Sequence, residues 1–251
     1  LTSRPAQWEV DAVRMMIRLS EETGCKIHIV HLSAADALED IHQAKERGVP
    51  LTVETCPHYL TFTAEDIPDG ATLFKCAPPI RKKENRERLW KALEIGTIDC
   101  IVSDHSPCMP KLKELEKGDF KKAWGGISSI QFSLPAVWTE MKKRHLPLSR
   151  LSTWMSCNTA LLAGLAERKG SLQVGFDADF IVWDPNAKQV IESSHIYHRH
   201  SPTPYEGYQF YGTVLKTFVR GNLVYNAAAP SDKFSELPMG KLLSRKQRRG
   251  K

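Results

Sequence analysis

The sequence predicts an α/β protein built as a (β/α)8 barrel of the TIM type, present only in part and followed by a small β-rich portion. Short apolar strand segments alternate with amphipathic helices across short loops, which is the mark of parallel βαβ units. Two of those strands end in polar residues of ligand type, His31 and Asp104. Beyond residue 168 the helical pattern gives way to two β-rich stretches. The expected organisation is therefore a barrel part over 1–168, a small sheet portion over 169–230 and a basic tail over 231–251.

The first helix is expected over residues 5–22. Pro5 suits its start, Glu9 and Asp11 suit the positive end of its dipole, and Val10, Val13 and Ile17 share one face with Met16 beside them. Gly24 ends it, and an apolar strand over 26–32 follows. Ser33 and Asp36 read as an N-terminal capping pair for a second helix running to Arg47 and closed by Gly48. Leu51–Thr55 reads as a strand, Cys56-Pro57-His58-Tyr59 as a polar loop, and Leu73–Ala77 as a further strand-like piece stopped by Pro78-Pro79. A third helix over 83–95 closes at Gly96 and leads into the strand Cys100-Ile101-Val102, which ends in Asp104. After a Lys-rich loop over 108–126, two helices are expected near 127–144 and 149–166. Asp177–Asp184 and Lys216–Asn226 are the β-rich stretches, the second turning at Gly221-Asn222, with a connector over 185–212 between them.

Composition excludes several classes. Hydrophobic residues make up 41% of the chain and charged residues 25%, the balance of an ordinary globular protein. No apolar run approaches the length of a membrane span, so no membrane partner is expected. The net charge of +6 belongs to the final eleven residues, which carry six bases and no acid; without them 29 bases face 29 acids. No aromatic residue is interleaved among those charges, so nucleic acid is not an expected partner. The six cysteines are scattered with no Cys-x-x-Cys pair, which points to reduced thiols and a cytoplasmic setting. The chain starts at Leu1, without Met and inside the approach to a helix, so a fragment of a longer protein is expected.

The chemistry sits where the strands end. Barrel enzymes carry their reactive groups at the carboxyl ends of their strands, and a carboxylate there is costly unless it is paired or bound to a metal. His31 and Asp104 are the expected metal ligands, with Asp104 also the expected catalytic acid–base group. Such a site lowers the pKa of bound water to about 7 and suits hydrolysis of an amide or imide. His28, on the same strand as His31, reads as a satisfied interior histidine. His58 and His105 are expected to orient the site rather than to ligate. Gly125 and Gly126 offer backbone N–H groups free of side chains, and Cys76 and Ala77 offer backbone contacts to the same substrate. His198-Arg199-His200 has ligand spacing but lies in a Pro-bounded connector and is rejected as a metal pair, while Asn158 reads as structural.

These motifs, in order, resemble the cyclic-amidohydrolase (dihydroorotase-like) branch of the amidohydrolase superfamily. The matching segments are Ile29-Val30-His31-Leu32-Ser33, Thr55-Cys56-Pro57-His58-Tyr59, Lys75-Cys76-Ala77-Pro78-Pro79-Ile80-Arg81 and Val102-Ser103-Asp104-His105-Ser106-Pro107-Cys108. Ala123-Trp124-Gly125-Gly126-Ile127, Asn158-Thr159-Ala160 and Asp177-Ala178-Asp179-Phe180-Ile181-Val182 complete them, so the resemblance covers residues 1 to about 226. Within the branch, the Ser-Asp-His-Ser-Pro-Cys and Trp-Gly-Gly versions are similar to those of the allantoinase group.

The resemblance implies a distorted (β/α)8 barrel with a small β-sandwich. It also implies hydrolysis of allantoin to allantoate in purine breakdown, and a homo-oligomer, a tetramer in the complete protein. The implied site is binuclear, usually zinc, held by four histidines, a carboxylated lysine and an aspartate. His31 matches the fourth histidine and Asp104 the aspartate; the other ligands fall on strands expected upstream of Leu1, so the chain would hold the last three βα units and be inactive alone. The alternatives are a dihydropyrimidinase- or hydantoinase-like hydrolase and a non-catalytic scaffold relative. The two matching ligand positions argue for descent from an enzyme.

Overall fold

The computed structural model describes residues 1–243. A mixed α/β fold results, with two three-stranded sheets of different kinds. The first helix, α1 (Ala6–Thr23), begins after Pro5 and stops where Gly24 adopts φ +69°, a left-handed geometry that favours glycine. Its buried stripe is Val10, Val13, Ile17 and Ser20, as the periodicity predicts. β1 (Ile27–Ile29) is shorter than the predicted strand, yet the chain stays tied to its neighbour further on, with the Leu32 amide donating to the Glu54 carbonyl at 2.8 Å.

Residues Ala35–Ala37 form a single 3-10 turn leading into α2 (Leu38–Glu46). The expected Ser33/Asp36 cap does not form. Ser33 Oγ donates to the Pro79 carbonyl at 2.7 Å and Asp36 pairs with Arg88 at 2.7 Å. The buried amides at this turn are met instead from other elements: Glu9 Oε1 accepts from Ser33 and Ala34 at 2.6 and 2.8 Å, and Asn85 Oδ1 accepts from Ala35 at 2.8 Å. These bonds satisfy the unpaired donors of a helix start as a cap would.

β2 (Leu51–Thr55) lies between β1 and β3 (Cys100–Ile101), parallel to both. Strictly alternating burial along β2 gives it one closed face of Leu51, Val53 and Thr55. Pro57–Thr61 is a short helix, α3, where a loop was expected. Proline at a first helical turn costs no hydrogen bond, which accounts for that start. The strand expected at Leu73–Ala77 is absent; Thr72–Phe74 is a 3-10 turn and the following residues are irregular. α4 (Lys83–Ile95) buries Leu89, Trp90 and Leu93 and ends at Gly96, φ +85°.

The helices α1, α2 and α4 cover the closed side of this sheet. Leu32, Ile41, Val53, Leu60, Leu89 and Ile101 are each at most 1% exposed and belong to one core. Further on, α5 (Ser133–Lys143) packs on the second sheet. Leu148–Ser152 and Asn158–Leu162 are α6 and α7, joined by one wide helical turn over Thr153–Cys157. The Asn158 amide donates to the Asp99 carbonyl at 2.6 Å, which anchors α7 to the approach of β3.

The second sheet is antiparallel: β4 (Phe180–Val190), β5 (Gln209–Val219) and β6 (Asn222–Asn226), in that order. Its strands run further into the predicted connector than periodicity indicated. Arg220 and Gly221 occupy the turn between β5 and β6, both at positive φ (+49° and +79°). Two such residues match the right-handed twist of a tight hairpin. Much of the basic tail, residues 244–251, lies outside the described residues. Among the described residues no helix is long and apolar enough to cross a membrane.

Candidate metal and substrate site

The two predicted ligands share an unusual backbone. Only five non-glycine residues among those described have positive φ, and His31 (+42°) and Asp104 (+44°) are two of them. Such conformations cost of order 1 kcal/mol or more, and they cluster where a side chain must be aimed. His31 leaves the end of β1 and Asp104 leaves the end of β3, on either side of β2. The left-handed geometry breaks the extended line of the chain at each of them.

Between them, Cys56 and His58 follow the end of β2. A sulfur of Cys56, a ring nitrogen of His58 and a carboxylate oxygen of Asp104 all lie within 4.8 Å of one another. The sequence placed His58 beside the site as an orienting residue and did not single out Cys56. Here both stand close enough to Asp104 to share one ion with it, while His31 is outside that trio. His31 is still close enough for its charge to disfavour protonation of His58. The signal that was available is the Cys-x-His spacing directly after a strand.

The polar atoms here are unsatisfied. Both ring nitrogens of His58 and Nδ1 of His31 are buried with no hydrogen-bond partner. Burial first, then the neighbouring His31 and Lys113 charges, pushes the His58 ring down to about 3. It is therefore a neutral imidazole, the form that binds metals. Burial, followed by the Asp104 and Glu54 charges, pushes the Cys56 thiol well up. Imidazole and carboxylate donors with orphaned buried nitrogens form a set that fits a borderline divalent cation such as zinc, with the protonated Cys56 thiol packed beside them.

His105 is held by its own loop. Its Nδ1 accepts from the amides of Ser129 and Ile130 at 3.0 and 3.2 Å, which leaves the proton on Nε2. Ser129 Oγ donates to the Ser103 carbonyl at 2.6 Å, so the same loop grips both sides of Asp104. His28 is satisfied as expected, by Thr52 on Nδ1 and Glu54 on Nε2, each at 2.8 Å. In the connector, His198 Nδ1 bonds the His200 carbonyl at 2.9 Å.

The four residues expected to touch substrate come together as a wall. A Cβ added to Gly125 would sit 3.7 Å from Ala77 Cβ, so the Trp-Gly-Gly loop lies directly on the Cys76-Ala77 segment. Their roles differ from the expectation, however. The Gly126 amide is spent on the Lys75 carbonyl at 3.0 Å, and a Cβ there would meet Ser106 Oγ at 2.5 Å. Gly126 is glycine because Ser106 is in the way. The amides of Gly125 and Ala77 have no acceptor among the described residues, and both residues reach the surface. Cys76 is buried, and burial pushes its thiol up to about 12, which leaves it a neutral packing group. Ala77, Pro78 and Pro79 also line an open cleft of about 490 Å³ with His31, Glu9 and Arg81.

Metal-type donors gathered at the carboxyl edge of a parallel α/β sheet define a class whose chemistry sits at the strand ends. The chain belongs to the amidohydrolase family, whose profile matches residues 12–224. It is 48% identical over 235 residues to a "Probable allantoinase" of Oryza sativa subsp. japonica, an alignment covering 90% of this chain and 46% of that protein. It is 44% identical over 246 residues to an "Allantoinase" of Saccharomyces cerevisiae, covering 97% of this chain and 52% of that one. Among solved structures, L-hydantoinase (dihydropyrimidinase) from Arthrobacter aurescens superposes with a TM-score of 0.83 at 35% identity, over 88% of this chain and 49% of the other. Dihydropyrimidinase from Brevibacillus agri gives 0.83 at 32% identity, over 89% and 50%. The chain spans about half the length of the curated relatives it matches.

Proposed function

We propose that these residues form part of a metal-dependent cyclic amidohydrolase that opens allantoin to allantoate. The observation that carries this reading is the gathering of His58 and Asp104 at the strand ends, with His31 and Asp104 both at positive φ and the ring nitrogens of His58 and Nδ1 of His31 buried and unpartnered. The allantoinases among the similar proteins favour allantoin over other cyclic amides.

The β1–β3 sheet with its helices is read as the last three βα units of a (β/α)8 barrel, spanning 1–168, and residues 169–230 as a portion of a small β-sandwich. Residues 231–251 form the tail. The complete protein is read as a cytoplasmic homo-oligomer.

His31 and Asp104 would hold the metal, with a ring nitrogen of His58 within 4.8 Å of an Asp104 oxygen. By the family pattern the metal would be a zinc pair that also takes a carboxylated lysine and three further histidines, none of which matches a residue of this chain. When bound, it supplies a Lewis acid and a water made acidic near neutral pH. Asp104 takes a proton from the attacking water on a carboxylate oxygen and returns it to the departing ring nitrogen. The amides of Gly125 and Ala77, which lack an acceptor among the described residues, are read as the donors to the ring carbonyl oxygen as it gathers charge. His105, its Nδ1 occupied, keeps a proton on Nε2 and is read as an orienting residue next to Asp104.

The test is turnover by the whole protein, loaded with zinc or manganese in the presence of bicarbonate. Allantoin is expected to be the best substrate and Asp104→Asn to abolish the activity. Faster turnover of hydantoins or dihydropyrimidines would move the assignment to the hydantoinase reading. No turnover of any cyclic amide would leave a scaffold protein. The 251-residue chain alone is expected to be inactive, because it carries two of the six ligands in the family pattern.

A further inference from the structure

Lys113 has no place in the function described so far, and its surroundings are unusual. It lies in the loop after Pro110 and is only 4% exposed. Lysine is almost never buried to that degree unless paired. No carboxylate pairs with it among the described residues. Its ammonium is instead surrounded by main-chain carbonyls. The oxygens of Lys75, Trp124, Leu73 and Thr72 lie at 3.1, 3.3, 3.4 and 3.5 Å, and that of Gly126 is also in contact.

Those carbonyls belong to two separate segments. One runs from Thr72 into Cys76-Ala77; the other is the Trp124-Gly125-Gly126 loop. The first opens on the single 3-10 turn Thr72–Phe74 and is irregular beyond it, and the second is irregular throughout, so neither can satisfy all of its carbonyls through a helix or a sheet. Three ammonium protons shared among five acceptors bind the segments to one point. Other bonds hold the first segment's far end: Tyr59 Oη donates to the Pro78 carbonyl at 2.8 Å and Ser33 Oγ to that of Pro79 at 2.7 Å.

We infer that Lys113 is a positioning residue, an internal cation that fixes the Lys75–Ala77 segment against Gly125-Gly126 so that the free amides of Ala77 and Gly125 face the substrate together. This rests on the cyclic-amidohydrolase reading, since those amides are the ones assigned to the substrate carbonyl. Lys113 itself touches no reacting atom. Its loss should therefore weaken substrate binding and leave the metal and Asp104 in place.

A cage of carbonyl oxygens is also the coordination shell of a monovalent cation. Shortening the side chain in Lys113→Ala would vacate that cage without removing it. The experiment compares whole wild-type protein and Lys113→Ala for KM, kcat and bound metal, in sodium-free buffer with and without added potassium or ammonium ions. Wild type must first turn over a cyclic amide; if it does not, the underlying reading fails and not this one. The expected result is a KM raised about 10-fold or more with kcat changed less than about 3-fold and metal content unchanged. Potassium or ammonium should restore KM, whereas the bulky tetramethylammonium ion should not. An unchanged KM, a loss confined to kcat, or a loss of bound metal would each overturn the inference. Should Lys113→Ala not fold, Lys113→Arg supplies the test, since its planar fork cannot occupy a compact cage. A wild-type KM in that variant would overturn the inference as well.

Discussion

Around β4 the carboxylates are saturated: Asp177 receives Arg168 at 2.7 Å and Lys169 at 2.9 Å, and Asp179 receives Lys169 together with the Arg220 amide. At the carboxyl ends of β1 and β2, three imidazole nitrogens of His31 and His58 are buried and paired with nothing. An unsatisfied buried polar atom costs about 1–3 kcal/mol, so a fold keeps several together only where something else meets them. The saturated region holds the chain in place, and the unsaturated region is shaped for a guest. The left-handed His31 and Asp104 lie in the second region.

The largest test of that contrast is Asp104→Asn in the complete protein. Removing a group that accepts and returns a proton should lower kcat/KM about 1,000-fold while the melting temperature stays put. A matching fall in stability would break the contrast, because Asp104 would then be holding the fold. The glycine pair sharpens it next. Gly126→Ala forces a methyl group onto Ser106 and should destabilise by about 1–3 kcal/mol, whereas Gly125→Ala finds ordinary contacts and should stay within about 0.5 kcal/mol. Equal effects in denaturant titrations would mean the loop is not packed as described.

Smaller again is His58→Leu. Replacing a neutral ring whose two nitrogens lack partners should raise the stability of the metal-free protein by about 1 kcal/mol and reduce its metal affinity. A destabilised variant would show that the ring is satisfied after all. Last comes Asp179. Burial pushes its carboxyl up, but Lys169 and the Arg220 amide together hold it below its ordinary value of 3.8. It therefore stabilises the fold above that pH, and the contribution fades as pH falls. Wild type and Asp179→Asn should differ by about 0.2–1 kcal/mol near neutrality, as partly exposed pairs do, and converge in acid. Melting curves that remain apart in acid would assign the effect to packing.

The sequence disclosed those features that rest on local periodicity and on chemistry at strand ends. α1, β2 and α4 fall within a residue or two of expectation, since each carries its own stripe, alternation or terminal glycine. His31 and Asp104 were legible because a polar residue closing an apolar strand is conspicuous. What stayed hidden depends on partners distant in sequence. The Leu73–Ala77 strand was inferred from apolar content, but its carbonyls go to Lys113 and the Gly126 amide, some 40 to 50 residues away. Lys113 itself read as one more charge in a Lys-rich loop. Likewise, the cap expected from Ser33 is supplied by Glu9, 24 residues earlier.

Glu9 has a consequence for motion. One of its oxygens holds the amides of Ser33 and Ala34 and the other holds Arg81 at 3.1 Å, so α1 is fastened to the backbone that follows His31 and to the far end of the Pro78-Pro79 segment. Any fluctuation that lifts α1 away must release all three at once. Amide hydrogen exchange at Ser33 and Ala34 should then follow the opening of that helix, at rates faster than the sheet's own unfolding allows. The stillness of the histidine is borrowed from the first helix.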